Sequence, residues 1–158
     1  TNRHGVPMLD PRAKSLKDFS AASMRGWWDR PQVYLPMLVM ADDVPLGYAL
    51  VEAPPVAPDG VQFYLSAFFL HRPYRGGMSI RTGVMEGTDV ADSALRQLFD
   101  RHRGEWEINT CIGNHEQQDM FHRVLSSYVP GKYRAGLGVG SLYGTSMMGF
   151  RFNNADRD

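Results

Sequence analysis

Apolar residues recur at helical spacing at Ala13, Leu16, Phe19, Met24, Trp27 and Trp28, which predicts an opening helix. Asp10 offers a capping side chain and Pro11 a preset first-turn backbone, and Pro31 ends the element. The period then shortens. Val33–Met40 is a run of mostly apolar residues that reads as a buried strand, in which Pro36 calls for a bulge or a sheet edge. Asp42-Asp43 makes a turn, and Leu46–Glu52 returns as the partner strand of a hairpin. A polar loop follows, marked by Pro54-Pro55 and Pro58-Asp59-Gly60, and leads into Val61–Leu70, a long strand rich in aromatics.

His71–Ser93 carries Gly76, Gly77, Gly83 and Gly87 with little periodicity, so it reads as a loop or a ragged helix start. Helical spacing resumes from Ala91 through Ala94, Leu95, Leu98 and Phe99, and Gly104 is a stop signal. Glu105–Ile112 alternates as a strand, with Trp106, Ile108, Thr110 and Ile112 on one face and Cys111 read as an inert buried thiol. After Gly113-Asn114, a helix over Glu116–Tyr128 turns Met120, Phe121, Val124 and Leu125 inward and stops near Pro130-Gly131. Gly136, Gly138, Gly140 and Gly144 dilute the next stretch, and Ser146–Phe152 forms a last strand. The order implies one α/β or α+β domain over residues 1–158, with too few β-α alternations for a doubly wound sheet.

Composition removes several classes. The 158 residues suit one domain, and 17 Lys+Arg balance 17 Asp+Glu. That balance argues against a nucleic-acid partner held by phosphate neutralisation. The single cysteine excludes a disulfide framework and a Cys-rich zinc site. His115 and His122 stand seven apart, not at the three or four of a helical metal pair, so no metal is expected. The longest apolar stretch, Val33–Ala41, is interrupted by Pro36 and far short of the roughly 18 residues of a membrane span. Thr1–Gly5 has no apolar core of a signal peptide, and a cytoplasmic location is the expectation.

An ordered set of segments carries a resemblance: Phe68-Phe69-Leu70-His71-Arg72-Pro73-Tyr74-Arg75-Gly76-Gly77, then Ala94-Leu95-Arg96-Gln97-Leu98-Phe99, Gly104-Glu105-Trp106-Glu107-Ile108, and Asn114 with Phe121-His122-Arg123-Val124-Leu125. Together they resemble the GNAT N-acetyltransferase superfamily, and within it a bacterial branch of predicted acetyltransferases, over about Val33 to Tyr133. The resemblance implies an α/β fold with a GNAT-type mixed, splayed β-sheet flanked by helices. It also implies acetyl-CoA as co-substrate and a small-molecule or protein amine as acceptor, with a homodimer compatible. The pyrophosphate would lie at Arg75, Gly76 and Gly77, where a glycine loop feeding a helix offers backbone N–H donors to an anion, with Arg72 adding charge. Phe69, Leu70, His71 and Asn114 would complete the cofactor site, and Asn114 also reads as a helix N-cap. Backbone N–H groups near Leu70 and His71 would polarise the thioester carbonyl.

Three departures mark this chain. The segment between Tyr74 and Phe99 is on the order of ten residues longer than the family spacing, and Arg81-Thr82-Gly83-Val84 offers a second register for the pyrophosphate turn. Ala67 stands where the branch carries an acidic residue, and Phe121 where many members carry a tyrosine. His71 is therefore the candidate proton acceptor, while His122 reads as an exposed helix residue. Trp27, Trp28, Tyr34 and Tyr64 are the candidate acceptor-site residues, with sheet packing as their other reading, shared by Tyr48. An alternative stays open: a GNAT-like module that has lost acetyl transfer and binds a partner or ligand, or uses its cleft for other chemistry.

Overall fold

The computed structural model of the chain describes residues 27–74, 88–139 and 147–157. Strand β1, Tyr34–Ala41, and strand β2, Val44–Glu52, form an antiparallel hairpin. Its two-residue turn, Asp42-Asp43, has φ of 48° and 66°, the left-handed pair that matches the twist of the flanking strands and that Asp tolerates better than most residues. Strand β3, Phe63–Leu70, runs antiparallel to β2 and ends in a 3-10 turn over Arg72–Tyr74. Gly47 permits close approach here, because a Cβ at that position would stand 2.0 Å from the Phe69 carbonyl oxygen.

Helix α1, Thr88–Arg101, precedes strand β4, Glu105–Cys111, which is parallel to β3. A parallel pair needs such a crossover. Helix α2, His115–Tyr128, leads to strand β5, Tyr133–Leu137, and strand β6, Met147–Asn153, inserts between β4 and β5. The six-stranded sheet has the order β1-β2-β3-β4-β6-β5 and is mixed, with β3–β4 its parallel pair. The architecture is mixed α/β.

One face of the sheet meets both helices. Leu65, Trp106, Ile108, Phe150 and Phe152 pack there against Leu95 and Phe99 of α1 and Phe121, Val124, Leu125 and Tyr128 of α2. Phe99 sits at the centre, its ring edge-on to Trp106 and Phe152, 4.9 Å from each. Asn154 closes the lower end. Its amide donates to the Phe99 carbonyl and to the Tyr128 hydroxyl, and its oxygen accepts from the Gly104 N–H.

Most predicted elements are present within a few residues of their expected bounds. Pro36 lies on an edge strand, and the β1–β2 irregularity falls at Val39/Met40 instead of at the proline. β5 was not expected. Gly136 interrupts the alternation that announces a strand, and pairing with β6 through Gly136↔Gly149 supplies what side chains do not. Two readings need correction. Cys111 is exposed, because it ends β4 on the face away from the helices. Ile112 lies beyond the strand and is also exposed. The first-helix expectation from Asp10 to Met24, and the loop residues Arg75, Gly76, Gly77, Gly83 and the Arg81–Val84 register, lie outside the described residues. Among the described residues, no helix is long and apolar enough to cross a membrane.

Candidate functional site

β3 and β4 stay in register for Phe63↔Trp106, Tyr64↔Glu107 and Leu65↔Ile108 only. β3 then continues to Leu70 and β4 to Cys111. The pairing ends where β3 bulges against β2: Leu50 faces Ala67 and Val51 faces Leu65, leaving Ser66 as the extra residue. A bulge bends its strand and re-aims its side chains. Beyond this point is a cleft of about 220 Å³, lined by Phe68, Phe69 and Leu70 of β3, by Asn114, and by Glu116, Gln117 and Met120 of α2.

Asn114 caps α2. Its side-chain oxygen accepts from the Gln117 N–H at 3.1 Å, which satisfies one of the orphan donors of the first turn. The cleft thus brings together Phe69, Leu70 and Asn114, three residues expected to bind a cofactor. His71 and Arg72 stand just past the strand end, both exposed. The His71 ring meets the edge of Phe69 at 5.7 Å. Its backbone N–H donates to the Leu46 carbonyl at 2.8 Å, so this group is committed to β2 and does not polarise a carbonyl in the cleft. Strand alternation turns the Leu70 N–H the other way, towards β4.

A larger hollow of about 340 Å³ separates the β1–β2 hairpin from α1. It is walled mostly by apolar side chains such as Met37, Val39 and Leu98, with Arg101 at its rim. None of the expected site residues lines it.

On the face away from α1 and α2, strand registers align a row across all six strands: Tyr34, Glu52, Tyr64, Glu107, Arg151 and Arg134. Glu52 and Glu107 are fully buried. Arg151 pairs with Glu107 at 3.2 Å and with Glu105 at 3.0 Å. Asn109 donates to Glu107 at 3.1 Å and to the Tyr64 hydroxyl at 3.4 Å. Burial pushes the Glu52 carboxyl up to about 8, against the smaller opposing effect of a hydrogen bond from Ser66. Trp27 packs over this face with Leu50, Tyr34 and Ala67, its ring 4.8 Å from that of Tyr34. Of the expected acceptor-site residues, Trp27, Tyr34 and Tyr64 therefore share one face. Trp28 does not join them: it is 66 % exposed, as its place next to Trp27 on a helical turn requires. Tyr48 is partly exposed and stacks on Phe69.

Glu52, Asn109, Glu107 and Arg151 were not singled out by their sequence pattern. Their signal was the polar half of the strand alternation, which looks the same whether that half meets water or is covered. His122 is half-buried and not exposed as expected: its Nδ1 lies 3.1 Å from the Tyr133 hydroxyl and its ring meets Phe150 edge-on. Phe121 lies in the apolar core against Phe150. Among the described residues, no group of three or more His, Cys, Asp or Glu is placed to hold a metal ion. No protein-family model matches the chain, and no curated protein matches it.

Proposed function

We propose that this protein transfers an acyl group from acetyl-CoA to an amine on a GNAT-type splayed sheet. The observation that carries the reading is the short β3–β4 register and the cleft it opens beside the capped start of α2. The half-apolar lining by Phe68, Phe69, Leu70 and Met120 suits the pantetheine arm of the thioester, with Asn114 and Gln117 available to its amides. The amine nitrogen attacks the thioester carbon and the C–S bond breaks, its electron pair leaving on sulfur. One amine proton is lost to a base and one returns to the thiolate. Holding the two substrates together supplies most of the acceleration. His71, at the mouth, is the candidate acceptor of the amine proton through water.

Phe121 favours the second reading, a module that binds a ligand without acyl transfer. Its buried ring puts no hydroxyl near the cleft for the departing thiolate. A thermal-denaturation titration with acetyl-CoA is the test of cofactor binding. At 100 times its dissociation constant, the ligand stabilises the fold by about 2.7 kcal/mol. No shift at saturating concentration removes the acyl-transfer reading. A shift without thiol release in the presence of a panel of amines selects the binding module. With turnover in hand, His71→Ala is expected to lower kcat about 10²-fold or more and to leave CoA affinity near wild type.

A further inference from the structure

The hollow of about 340 Å³ between the hairpin and α1 is larger than the cleft and differs from it in chemistry. It opens on the helix side of the sheet. Met37, Val39, Phe68 and Val90 line it, and each packs against the core with part of its surface left uncovered. Apolar surface held open in this way is stabilised by whatever removes it from water.

Helix α1 gives the hollow two neighbouring rows. Val90, Ala94 and Leu98 recur every four residues, and so do Ser93, Gln97 and Arg101, a spacing that stacks each set along one side of a helix. The first row is apolar; the second is polar and ends in a cation. The helix rises about 16 Å from Val90 to Arg101, so the hollow is long and its charge is at one end. That end is remote from the hairpin tip. α1 ends three residues before β4 begins at Glu105, and the start of β4 pairs with the start of β3. The hairpin tip, with Asp42 and Asp43, lies beside the other end of β3, where Gly47 faces Leu70.

Among the described residues that line the hollow, Arg101 is the one charged group. Arg96, Arg103, Arg151 and Arg157 each pair with an aspartate or glutamate, and among the described residues Arg101 has no such partner. It stands in the last turn of α1, where the helix dipole favours a cation, and its side chain is exposed. One turn back, the Gln97 amide donates to the Ser93 hydroxyl at 3.0 Å. The second amide N–H and the serine hydrogen stay available to another acceptor.

We propose that this hollow binds a medium-chain carboxylate. The alkyl chain lies along Val90, Ala94 and Leu98 and against Met37 and Val39, and the carboxylate pairs with the Arg101 guanidinium beside Gln97. A flexible methionine wall adapts to an alkyl chain, and a planar guanidinium matches a carboxylate. The volume is near the lower end of the roughly 300–1,000 Å³ of ligand pockets, which suits one alkyl chain and not a two-chain lipid. The site stands apart from the acyl-transfer reading, although Phe68 is a wall of both openings.

The test is calorimetric titration of the full chain with hexanoate, octanoate and decanoate, each below its micelle-forming concentration. Affinity is expected to rise about fourfold per added methylene until the chain outgrows the hollow. Octanoate is expected to bind about fivefold more tightly than octylamine, as an exposed ion pair allows. Arg101→Gln brings these two ligands to near parity and keeps the dependence on chain length. Ala94→Phe fills the hollow and weakens all three carboxylates; Arg101→Gln, at an exposed position, keeps the test decisive whatever Ala94→Phe does to folding. Affinity that ignores chain length overturns the proposal, and so does an octanoate preference that survives Arg101→Gln. A wild type that sediments as a dimer, which Ala94→Phe dissociates, assigns the hollow to a second copy of the chain and also overturns it. Octanoate binding without acetyl-CoA binding keeps this site and removes acyl transfer. The reverse pattern removes this site alone.

Discussion

The two faces of the sheet are built from the same strands and hold together by different physics. On the helix side, Trp106, Ile108, Phe150 and Phe152 meet Phe99, Phe121 and Leu125, and stabilisation comes from apolar area and close packing. On the other side, Glu107 shares Arg151 with Glu105, Asn109 bridges Glu107 and Tyr64, and Glu52 is buried under a large desolvation cost. Apolar packing is non-directional and tolerates imperfect partners. A buried polar row has to be satisfied group by group, and where it is not, the molecule carries energy that a ligand can recover. The first face is a scaffold. The second is a polar network whose groups depend on one another.

That contrast can be broken at its apolar end first. Phe99→Ala empties the centre of the helix-side core and is expected to cost about 3–5 kcal/mol in a urea unfolding experiment. A loss under about 1 kcal/mol would mean that the aromatic cluster does not carry the fold.

The polar face answers to pH. The Glu52 carboxyl ionises near 8 when folded, against 4.5 as a free side chain. The folded chain keeps a proton that the unfolded chain gives up, so this group lowers stability as pH rises from about 4.5 to 8 and has no further effect above that. Glu52→Gln removes the proton exchange. The variant and the wild type should be similar at pH 5, and the variant more stable by roughly 2 kcal/mol or more at pH 8.5. Parallel stability curves across this range would show that Glu52 is not held neutral by burial.

The smallest expected effect is at the junction of cleft and helix. Asn114→Ala should cost about 0.5–2 kcal/mol as a lost cap. If stability is unchanged while acetyl-CoA affinity collapses, the ligand contact outweighs the cap.

The strands and helices were legible because their side-chain periods are local properties. Trp106, Ile108 and Thr110 alternate, Met120, Phe121, Val124 and Leu125 follow a helical stripe, and Asn114 announces a cap that the structure contains. β5 was illegible because a strand carrying Gly136 shows no alternation and exists through its pairing with β6. Cys111 is exposed where a buried thiol was expected for a related reason: a residue at an element's end belongs to whichever surface the neighbours leave open. Of the candidate site, Phe69, Leu70 and Asn114 were singled out in the sequence and line one cleft in the structure. The polar row was not, since Glu52 and Glu107 look in sequence like any solvated strand residue.

Sequence by itself determined which segments other than β5 are helix or strand, where α2 begins, and that two kinds of face alternate along most strands. Only the tertiary structure decided that Glu52 and Glu107 of the polar row are buried, that β3 and β4 part after three registered pairs, and that Trp27 and Asn109 end up on the same side of the sheet. Period and capping are set by neighbours along the chain. Burial, register and the pairing of polar groups depend on residues tens of positions away, and these come together only when the sheet closes.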